Sequence, residues 1–199
     1  MSTKNTKELV LLEAFKLFSE KPYDKVTYTN LQENTGLSRG SVLHHTKSKS
    51  ALFATVLSEF ILASSIPERS FENGESLKGF IQRFIENCRI EQKTLQKRGI
   101  ENINKSMLNL CSQTFYYCPI MAERYAEWMK NQQRTWVKII RIAMDRKEIR
   151  SDVDVEMIAS LFHNLYLGFS FSGSTEKGGY DLNFLKKEFG FIYSFLLKK

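Results

Sequence analysis

The sequence predicts an all-helical protein of about nine helices, and three observations support this fold class. Apolar residues recur every three or four positions along most of the 199-residue chain, which is the spacing of one face of an α-helix. Only three prolines interrupt the chain, so long helices can form. No stretch alternates apolar and polar residues for long enough to indicate a β-sheet.

The N-terminal region begins with a long helix and a short one. An apolar stripe followed by Lys21-Pro22 predicts a first helix over residues 4–19. Thr27 begins a second helix over residues 28–34, because its hydroxyl can accept a hydrogen bond from a free N–H of the first turn. Gly36 ends this helix, since glycine readily adopts the left-handed conformation found there.

Two more helices follow directly. Ser38 is placed to cap a third helix, which ends near Thr46. Ser48 caps a fourth helix, whose apolar residues continue to Ile61. The second and third helices, joined by residues 35–38, form a helix-turn-helix pattern.

The longer remainder of the chain contains several amphipathic segments, each of which predicts a helix. Their apolar stripes begin at Leu77, Met107, Ile120, Val155 and Leu185. Pro119 introduces the third of these segments and Asp154 caps the fourth. The segment from Ser170 to Asp181 contains three glycines and is predicted to be a flexible connection.

Net charge, apolar runs and cysteine count limit which partners and which cellular compartment we expect. The formal net charge of +7 favours an acidic partner, either nucleic acid or an anionic membrane surface. No apolar run approaches the roughly 20 residues of a membrane-spanning helix, and no export signal is evident, so we expect a cytoplasmic protein without a membrane segment. The three cysteines, an odd number, then indicate reduced thiols.

The helix after the turn carries the polar groups that a DNA-reading helix needs. In a helix-turn-helix, the second helix enters the major groove through its N-terminal end. Arg39 can donate two hydrogen bonds to a guanine, Ser41 can contact either base type, and Gly40 permits close backbone approach. Donors that can reach phosphate oxygens follow at His44, His45, Lys47 and Lys49. The alternative interpretation is an ordinary solvated basic face.

A larger set of residues in the same region matches a family pattern. The matching residues are Val10-Leu11, Ala14, Leu17-Phe18, Tyr23, Thr27, Leu31, Gly36 to Ser41, His45, Ser48-Lys49 and Ala51-Leu52. Together they resemble the N-terminal signature of the Tet repressor (TetR/AcrR) family of transcriptional regulators, over about the first 55 residues. Residues 147–154 also resemble the segment that often precedes the dimerisation helices of this family. The N-terminal pattern extends over three helices, so it is far more specific than a helix-turn-helix alone.

The resemblance implies an N-terminal helix-turn-helix DNA-binding domain, residues 1–48, and a C-terminal regulatory, ligand-binding and dimerisation domain, residues 49–199. It implies a homodimer that binds a double-stranded DNA operator sequence-specifically, usually as a repressor, and that responds to a small-molecule effector. Carried over position by position, the DNA contacts are Thr27, Tyr28, Thr29, Arg39, Gly40, Ser41, His44, His45 and Lys49.

Two further sets of residues follow from the resemblance. Pairing of the last two helices with their symmetry mates assigns the dimer interface to Val155, Ile158, Phe162, Leu165, Phe169, Leu185, Phe189, Ile192 and Leu196. An effector pocket in the C-terminal domain would be lined by Phe84, Cys88, Met107, Cys111, Phe115, Tyr116, Met121, Tyr125, Trp128, His163 and Tyr166. The alternative for both sets is ordinary packing in the core of one subunit.

Four residues near the turn depart from the family pattern. Leu43 and Thr46 stand where the family has tyrosine and phenylalanine, and Gln32 and Thr35 replace smaller residues. These departures leave a second hypothesis, in which a helical dimer acts through protein or small-molecule binding and its DNA-binding head is degenerate.

An enzyme is not indicated by the sequence. His163 stands alone on an apolar helix face, where a histidine satisfied in the core is the simpler interpretation, and no nucleophile–base pair surrounds it. A thiol switch between Cys111 and Cys118 lacks a basic neighbour that would lower a thiol pKa. The spacing of candidate ligands predicts no metal site, and no cofactor is expected.

Overall fold

The computed structural model describes residues 3–63 and 74–197, and all regular structure within these two segments is helical. The α-helices are α1 (Thr3–Glu20), α2 (Tyr28–Thr35), α3 (Arg39–Thr46), α4 (Lys49–Leu57), α5 (Leu77–Lys97), α6 (Ile103–Tyr117), α7 (Pro119–Asp145), α8 (Val155–Gly173) and α9 (Leu182–Leu196). A 3-10 turn, Tyr23–Lys25, follows α1, and a π-helical turn, Ser58–Leu62, follows α4. The predicted all-α fold is confirmed. Among the described helices, none is both long and apolar enough to cross a membrane.

The chain forms two compact units. The N-terminal unit contains residues 3–63 together with Lys105–Ala126, and the C-terminal unit contains residues 74–104 together with 127–197. The predicted boundary at residue 48 lies between α3 and α4, inside the N-terminal unit. The division of function between residues 1–48 and 49–199 stays a prediction.

The N-terminal unit has an aromatic core built on α1. Phe18 is fully buried, and its ring meets the ring of Phe53 from α4 edge to face, with centroids 4.9 Å apart. The end of α1 is held by two side-chain amides of α6. The Asn109 amide donates to the Ser19 carbonyl at 2.7 Å, and the Gln113 amide donates to the Phe18 carbonyl at 2.9 Å. Two of the last carbonyls of α1, which have no partner within the helix, are thereby satisfied.

Trp136 of α7 lies at the centre of the C-terminal core. Its fully buried ring stacks on Phe162 of α8 with centroids 4.8 Å apart. It meets Phe80 of α5 and Phe189 of α9 edge to face, at 4.8 and 5.5 Å. Each aromatic pair contributes about 0.5–1.5 kcal/mol beyond its buried area. The Trp136 side chain of α7 therefore stabilises the packing of α5, α8 and α9 around it.

The start of α5 is capped by a carboxylate from a distant part of the sequence. Glu148, which follows α7, accepts hydrogen bonds from the N–H groups of Leu77 and Lys78 at 2.8 and 3.0 Å. The Tyr193 hydroxyl of α9 also donates to this carboxylate, at 3.0 Å. A negative charge at a helix N-terminus pairs otherwise unsatisfied N–H groups and opposes the positive end of the helix dipole.

The connection between α8 and α9 differs from the prediction. α8 continues to Gly173, whose carbonyl accepts a hydrogen bond from the Asn102 amide at 2.8 Å. Asn104 accepts a hydrogen bond from the N–H of Tyr180 at 3.3 Å, and the Tyr180 side chain is buried. The prediction that a flexible connection begins at Ser170 is therefore wrong, because side chains from outside the segment hold its backbone in place.

The predicted dimer-interface residues lie in the core of the C-terminal unit. Those that are fully buried are Phe162, Leu185, Phe189 and Leu196, and those partly buried against the same core are Val155, Ile158, Leu165, Phe169 and Ile192. Four of the nine residues are thus buried in the single chain and five are partly exposed, and the role of this set in dimerisation stays a prediction. The same two helices expose other large apolar residues, which we call the outer α8–α9 face: Met157, Leu161, Phe171, Phe184, Phe191 and Phe195.

Candidate nucleic-acid interface

α2 begins with a reciprocal cap. The Thr27 hydroxyl accepts a hydrogen bond from the Asn30 N–H at 3.2 Å, and the Asn30 side-chain oxygen accepts one from the Thr27 N–H at 3.1 Å. This capping box fixes the first turn of α2. It leaves Thr27 and Thr29 exposed and Tyr28 half-exposed.

The turn between α2 and α3 is held by a glycine and a threonine. Gly36 ends α2 in the left-handed conformation, with φ at 69°. The Thr35 hydroxyl donates to the Leu31 carbonyl at 2.5 Å and accepts from the Leu37 N–H at 3.3 Å. Thr35, a departure from the family pattern, therefore stabilises the turn.

α3 places its polar residues outward. Ser38 caps the helix by accepting a hydrogen bond from the Ser41 N–H at 3.3 Å. Arg39, Gly40 and His44 are exposed, whereas Ser41 and His45 are half-exposed. A Cβ added to Gly40 would meet no atom within 4 Å. Packing within the protein therefore does not require glycine at this position, and the surface above it is open to a partner.

The two departures on α3 lie on different sides of the helix. Leu43 is 38% exposed and lies one turn after Arg39, so it presents an apolar group on the outer surface. Thr46 is buried, and its hydroxyl oxygen has no hydrogen-bond partner. The change at residue 43 thus alters the surface of α3, whereas the change at residue 46 alters the packing beneath it.

Lys49 begins α4 next to an aromatic ring. Ser48 caps the helix by accepting a hydrogen bond from the Ala51 N–H at 3.1 Å. The Lys49 ammonium nitrogen lies 4.5 Å from the centroid of the Tyr23 ring. Partial burial lowers the pKa of Lys49, and the negative charge of Asp24 opposes this shift.

Tyr117, at the end of α6, completes this arrangement. Its ring stacks on that of Tyr23 with centroids 4.7 Å apart. Sequence reasoning missed Tyr117, because residues so far apart in the chain carry no local signal of contact. All nine predicted DNA-contact residues lie in the N-terminal unit and are accessible, and their role in DNA binding stays a prediction.

A small cavity lies within the N-terminal unit, with a volume of about 10 Å³, room for about one water molecule. Its walls are formed by Leu57, Ile61, Leu62, Cys111, Thr114, Met121 and Tyr125. Three of them, Cys111, Met121 and Tyr125, belong to the predicted effector pocket. Burial raises the pKa of the Cys111 thiol to about 11 and also raises the pKa of Tyr125, so both groups are uncharged at pH 7.

The other predicted pocket residues are distributed over both units. Met107 is half-buried and Phe115 and Tyr116 are exposed in the N-terminal unit; Phe84, Cys88 and His163 are buried and Trp128 and Tyr166 half-buried in the C-terminal unit. The Phe84 and Tyr166 rings meet edge to face at 5.0 Å. The predicted pocket residues therefore do not all line one cavity, since some are buried, some are exposed, and they belong to both units. Their role in effector binding stays a prediction.

His163, considered above for catalysis, and Cys88 of the predicted effector pocket are both buried. The Nε2 atom of His163 has no hydrogen-bond partner, in contrast to the expected satisfied histidine, and burial lowers the pKa of its ring. Burial raises the pKa of the Cys88 thiol to about 12, which keeps it protonated. Within the segments that the structure describes, no group of three or more His, Cys, Asp or Glu residues could hold a metal ion.

Comparison with known proteins gives a family for the N-terminal region. Residues 10–56 match the sequence profile of bacterial regulatory proteins of the tetR family. The HTH-type transcriptional repressor AcnR of Corynebacterium efficiens is 34% identical over 80 residues. That match covers 39% of this chain and 42% of AcnR, so the chain spans about two fifths of the length of this curated relative.

Solved structures match over nearly the whole chain. NalD, the secondary repressor of the MexAB-OprM multidrug efflux pump in Pseudomonas aeruginosa, aligns with a TM-score of 0.70 at 16% identity, covering 98% of both chains. SmeT, solved as a complex with triclosan, aligns with a TM-score of 0.71 at 18% identity, covering 98% of this chain and 93% of that chain. At these identities, the likeness shows a shared fold.

The capped helix-turn-helix and the helical C-terminal unit define the class of protein, a helix-turn-helix unit followed by a larger helical unit. Within this class, residues 10–56 match the domain of the tetR family of bacterial regulatory proteins. The resemblance found over about the first 55 residues is confirmed.

Proposed function

We propose that this protein is a sequence-specific, DNA-binding transcriptional repressor that acts as a homodimer and releases its operator when a small-molecule effector binds. The observation that carries the proposal is the outer surface of α3. Arg39, Gly40 and His44 are exposed there on a helix whose start and turn are fixed by side-chain caps. A rigid helix with outward donors is what reading of base edges in the major groove requires.

Charge supports the same proposal. Basic residues lie at the start of α3 and directly after it, at Arg39, Lys47 and Lys49, and the whole chain carries a formal charge of +7. Basic side chains that neutralise phosphates release counterions from DNA, which supplies most of the affinity that does not depend on sequence.

The homodimer is supported by the outer α8–α9 face. Its six large apolar side chains are exposed in the single chain, and contiguous exposed apolar residues typically mark a protein–protein contact. A two-fold dimer would present two copies of α3 to half-sites about 34 Å, or a multiple of that distance, apart.

The effector is proposed to enter the cavity bounded by Cys111, Thr114 and Tyr125. The walls are mostly apolar, and these three residues supply uncharged polar groups, a lining that suits a small neutral molecule. Ligand pockets typically measure about 300–1,000 Å³, so binding requires the cavity to open. A thermal-shift screen of apolar and aromatic compounds tests this part, and a library without any stabilising compound would contradict it.

Selection from a random pool of double-stranded DNA tests the central proposal. We expect enrichment of a two-fold-symmetric sequence that binds at least about a thousandfold more tightly than random DNA. Titration at several salt concentrations should give a steep loss of affinity as salt rises. Failure to enrich any sequence would overturn sequence-specific binding.

A second candidate function is a helical dimer that acts through protein partners, with a head that no longer reads DNA. The exposed rings of Phe115 and Tyr116 on α6 favour it, together with the apolar Leu43 on α3. The salt titration separates the candidates, because a degenerate head would show weak, steeply salt-dependent binding without enrichment, or no binding.

A further inference from the structure

We propose that Tyr23 and Tyr117 are positioning residues that hold the Lys49 ammonium group ready for contact with a DNA phosphate. The proposal rests on the proposed DNA-binding function. It also gives α6, which contributes none of the predicted DNA contacts, a role in DNA affinity.

Lys49 is held by the ring of Tyr23. The ammonium nitrogen lies 4.5 Å from the ring centroid, a distance at which the negative face of an aromatic ring attracts a cation. The Lys49 side chain is half-exposed, so the cation contacts the ring and still faces solvent. A ring leaves the positive charge intact, whereas a carboxylate would neutralise it. The nearby Asp24 carboxylate is paired with Lys25 at 4.0 Å.

Tyr23 is in turn held by other rings. Tyr117 stacks on it with centroids 4.7 Å apart and an angle of 25° between ring planes. Phe18 stacks at 5.8 Å and Phe53 meets it edge to face at 5.2 Å. Phe18 and Phe53 are fully buried and therefore fixed. Tyr117 is 41% exposed, so its ring can be removed without opening a buried cavity.

A positioned lysine binds phosphate better than a free one. A lysine side chain loses much rotamer freedom when it is fixed, and a group that is already fixed in the free protein loses less of it on binding. Stacking of Tyr117 on Tyr23 limits the motion of the ring, and the ring limits the motion of the Lys49 ammonium. The contact from α6 should therefore affect DNA affinity only through Lys49.

A double-mutant cycle tests this coupling. Dissociation constants for the operator selected from random DNA are measured for wild type, Tyr117→Ala, Lys49→Ala and the double variant. We expect Tyr117→Ala to weaken binding about two- to fivefold per protomer, the size of an exposed cation–π contact. The same substitution should have no effect in the Lys49→Ala background. Tyr117→Phe, which keeps the ring, should bind as wild type does.

Ile120 provides the control. It is an exposed apolar residue of the same unit that belongs to none of the predicted binding sets, and Ile120→Ala should leave binding unchanged. If Tyr117→Ala unfolds the protein at the assay temperature, Tyr117→Leu replaces it in the cycle, because leucine keeps much of the side-chain volume but has no aromatic ring. Equal weakening by the Tyr117 variant in both backgrounds, or no weakening at all, would overturn the proposal alone. A wild type that binds no DNA would overturn the proposed function, and this proposal with it.

Discussion

Arg39 and Lys49 are expected to contribute to DNA binding in different ways. Arg39 lies at the start of α3, where its guanidinium can form two hydrogen bonds with one guanine. Arg39→Ala should therefore cost about 1–3 kcal/mol and relax specificity at one base pair of each half-site. Lys49→Ala should weaken all sequences alike and lower the slope of log affinity against log salt by about one.

Titrations of the selected operator and of single-base variants, at several salt concentrations, measure both effects. Arg134→Ala serves as a control for loss of one positive charge, because Arg134 is exposed in the C-terminal unit and paired with Glu127 at 2.7 Å. If the Arg39→Ala and Lys49→Ala variants both bind with wild-type affinity and salt dependence, these assignments are wrong.

Leu43 should supply a contact that the family tyrosine does not. A leucine exposed one turn after Arg39 can pack against the methyl group of a thymine, the one apolar feature of the major groove. Replacing that thymine by uracil, which lacks the methyl group, should weaken wild-type binding by about 0.8 kcal/mol per half-site. Leu43→Ala should abolish the difference between the two bases.

Binding assays with operators that carry uracil at each thymine position in turn check this expectation. The methyl-dependent position should be the same in each half-site of a two-fold operator. A wild type that is insensitive to every substitution, or a Leu43→Ala variant that retains the sensitivity, would contradict the contact.

At the residue scale, local chemistry was predictable and distant contacts were not. The caps by Thr27, Ser38 and Ser48 are formed as expected, because a cap involves only neighbouring residues of the chain. The stacking of Tyr117 on Tyr23 depends on the packing of α6 beside the turn after α1. No periodicity or spacing in the sequence reports such packing.

At the scale of the helices, the start and end signals were predictable and the partners of each helix were not. α1 and α2 were predicted to within one residue at each end. α4, predicted as one helix through Ile61, ends at Leu57 and continues as the π-helical turn, since no local residue signals that change. The cap on α5 likewise comes from Glu148, which lies about 70 residues further along the chain, where no local signal points to α5.

Glu148 should contribute to the free energy of unfolding, because its carboxylate accepts hydrogen bonds from both α5 and α9. Glu148→Ala removes the acceptor of two N–H groups of α5 and of the Tyr193 hydroxyl, so we expect a loss of about 1–3 kcal/mol in the free energy of unfolding. Glu148→Gln retains one oxygen acceptor and should cost less. Urea denaturation measures both.

Glu86→Ala is the matched control for removal of a carboxylate. Glu86 forms an exposed ion pair with Arg89 at 2.7 Å, and exposed pairs of this kind contribute about 0–1 kcal/mol. An unfolding free energy for Glu148→Ala no lower than that of the Glu86 variant would show that the cap contributes little.

At the scale of the whole molecule, amphipathic periodicity predicted which faces of α8 and α9 are apolar but not what covers them. The regular stripes close the C-terminal core. The outer face is interrupted by polar residues such as Asn164 and Lys187, so its pattern is weaker in the sequence. The large apolar residues of the outer face are exposed in the single chain, so a partner that covers them must come from another molecule.

In the proposed homodimer, a charge placed on the outer α8–α9 face should therefore separate the subunits. In a two-fold interface each substitution occurs twice, and an unpaired buried carboxylate opposes association strongly. Leu161→Glu and Phe195→Glu should shift the protein from dimer to monomer at micromolar concentration in analytical ultracentrifugation. Both should also lose the tight binding to a two-half-site operator while keeping the helical content of the wild type. Ile90→Glu, at an exposed apolar position on α5, is the control that should remain dimeric. A monomeric wild type would contradict the proposed homodimer, whereas outer-face variants that stay dimeric would place the interface elsewhere.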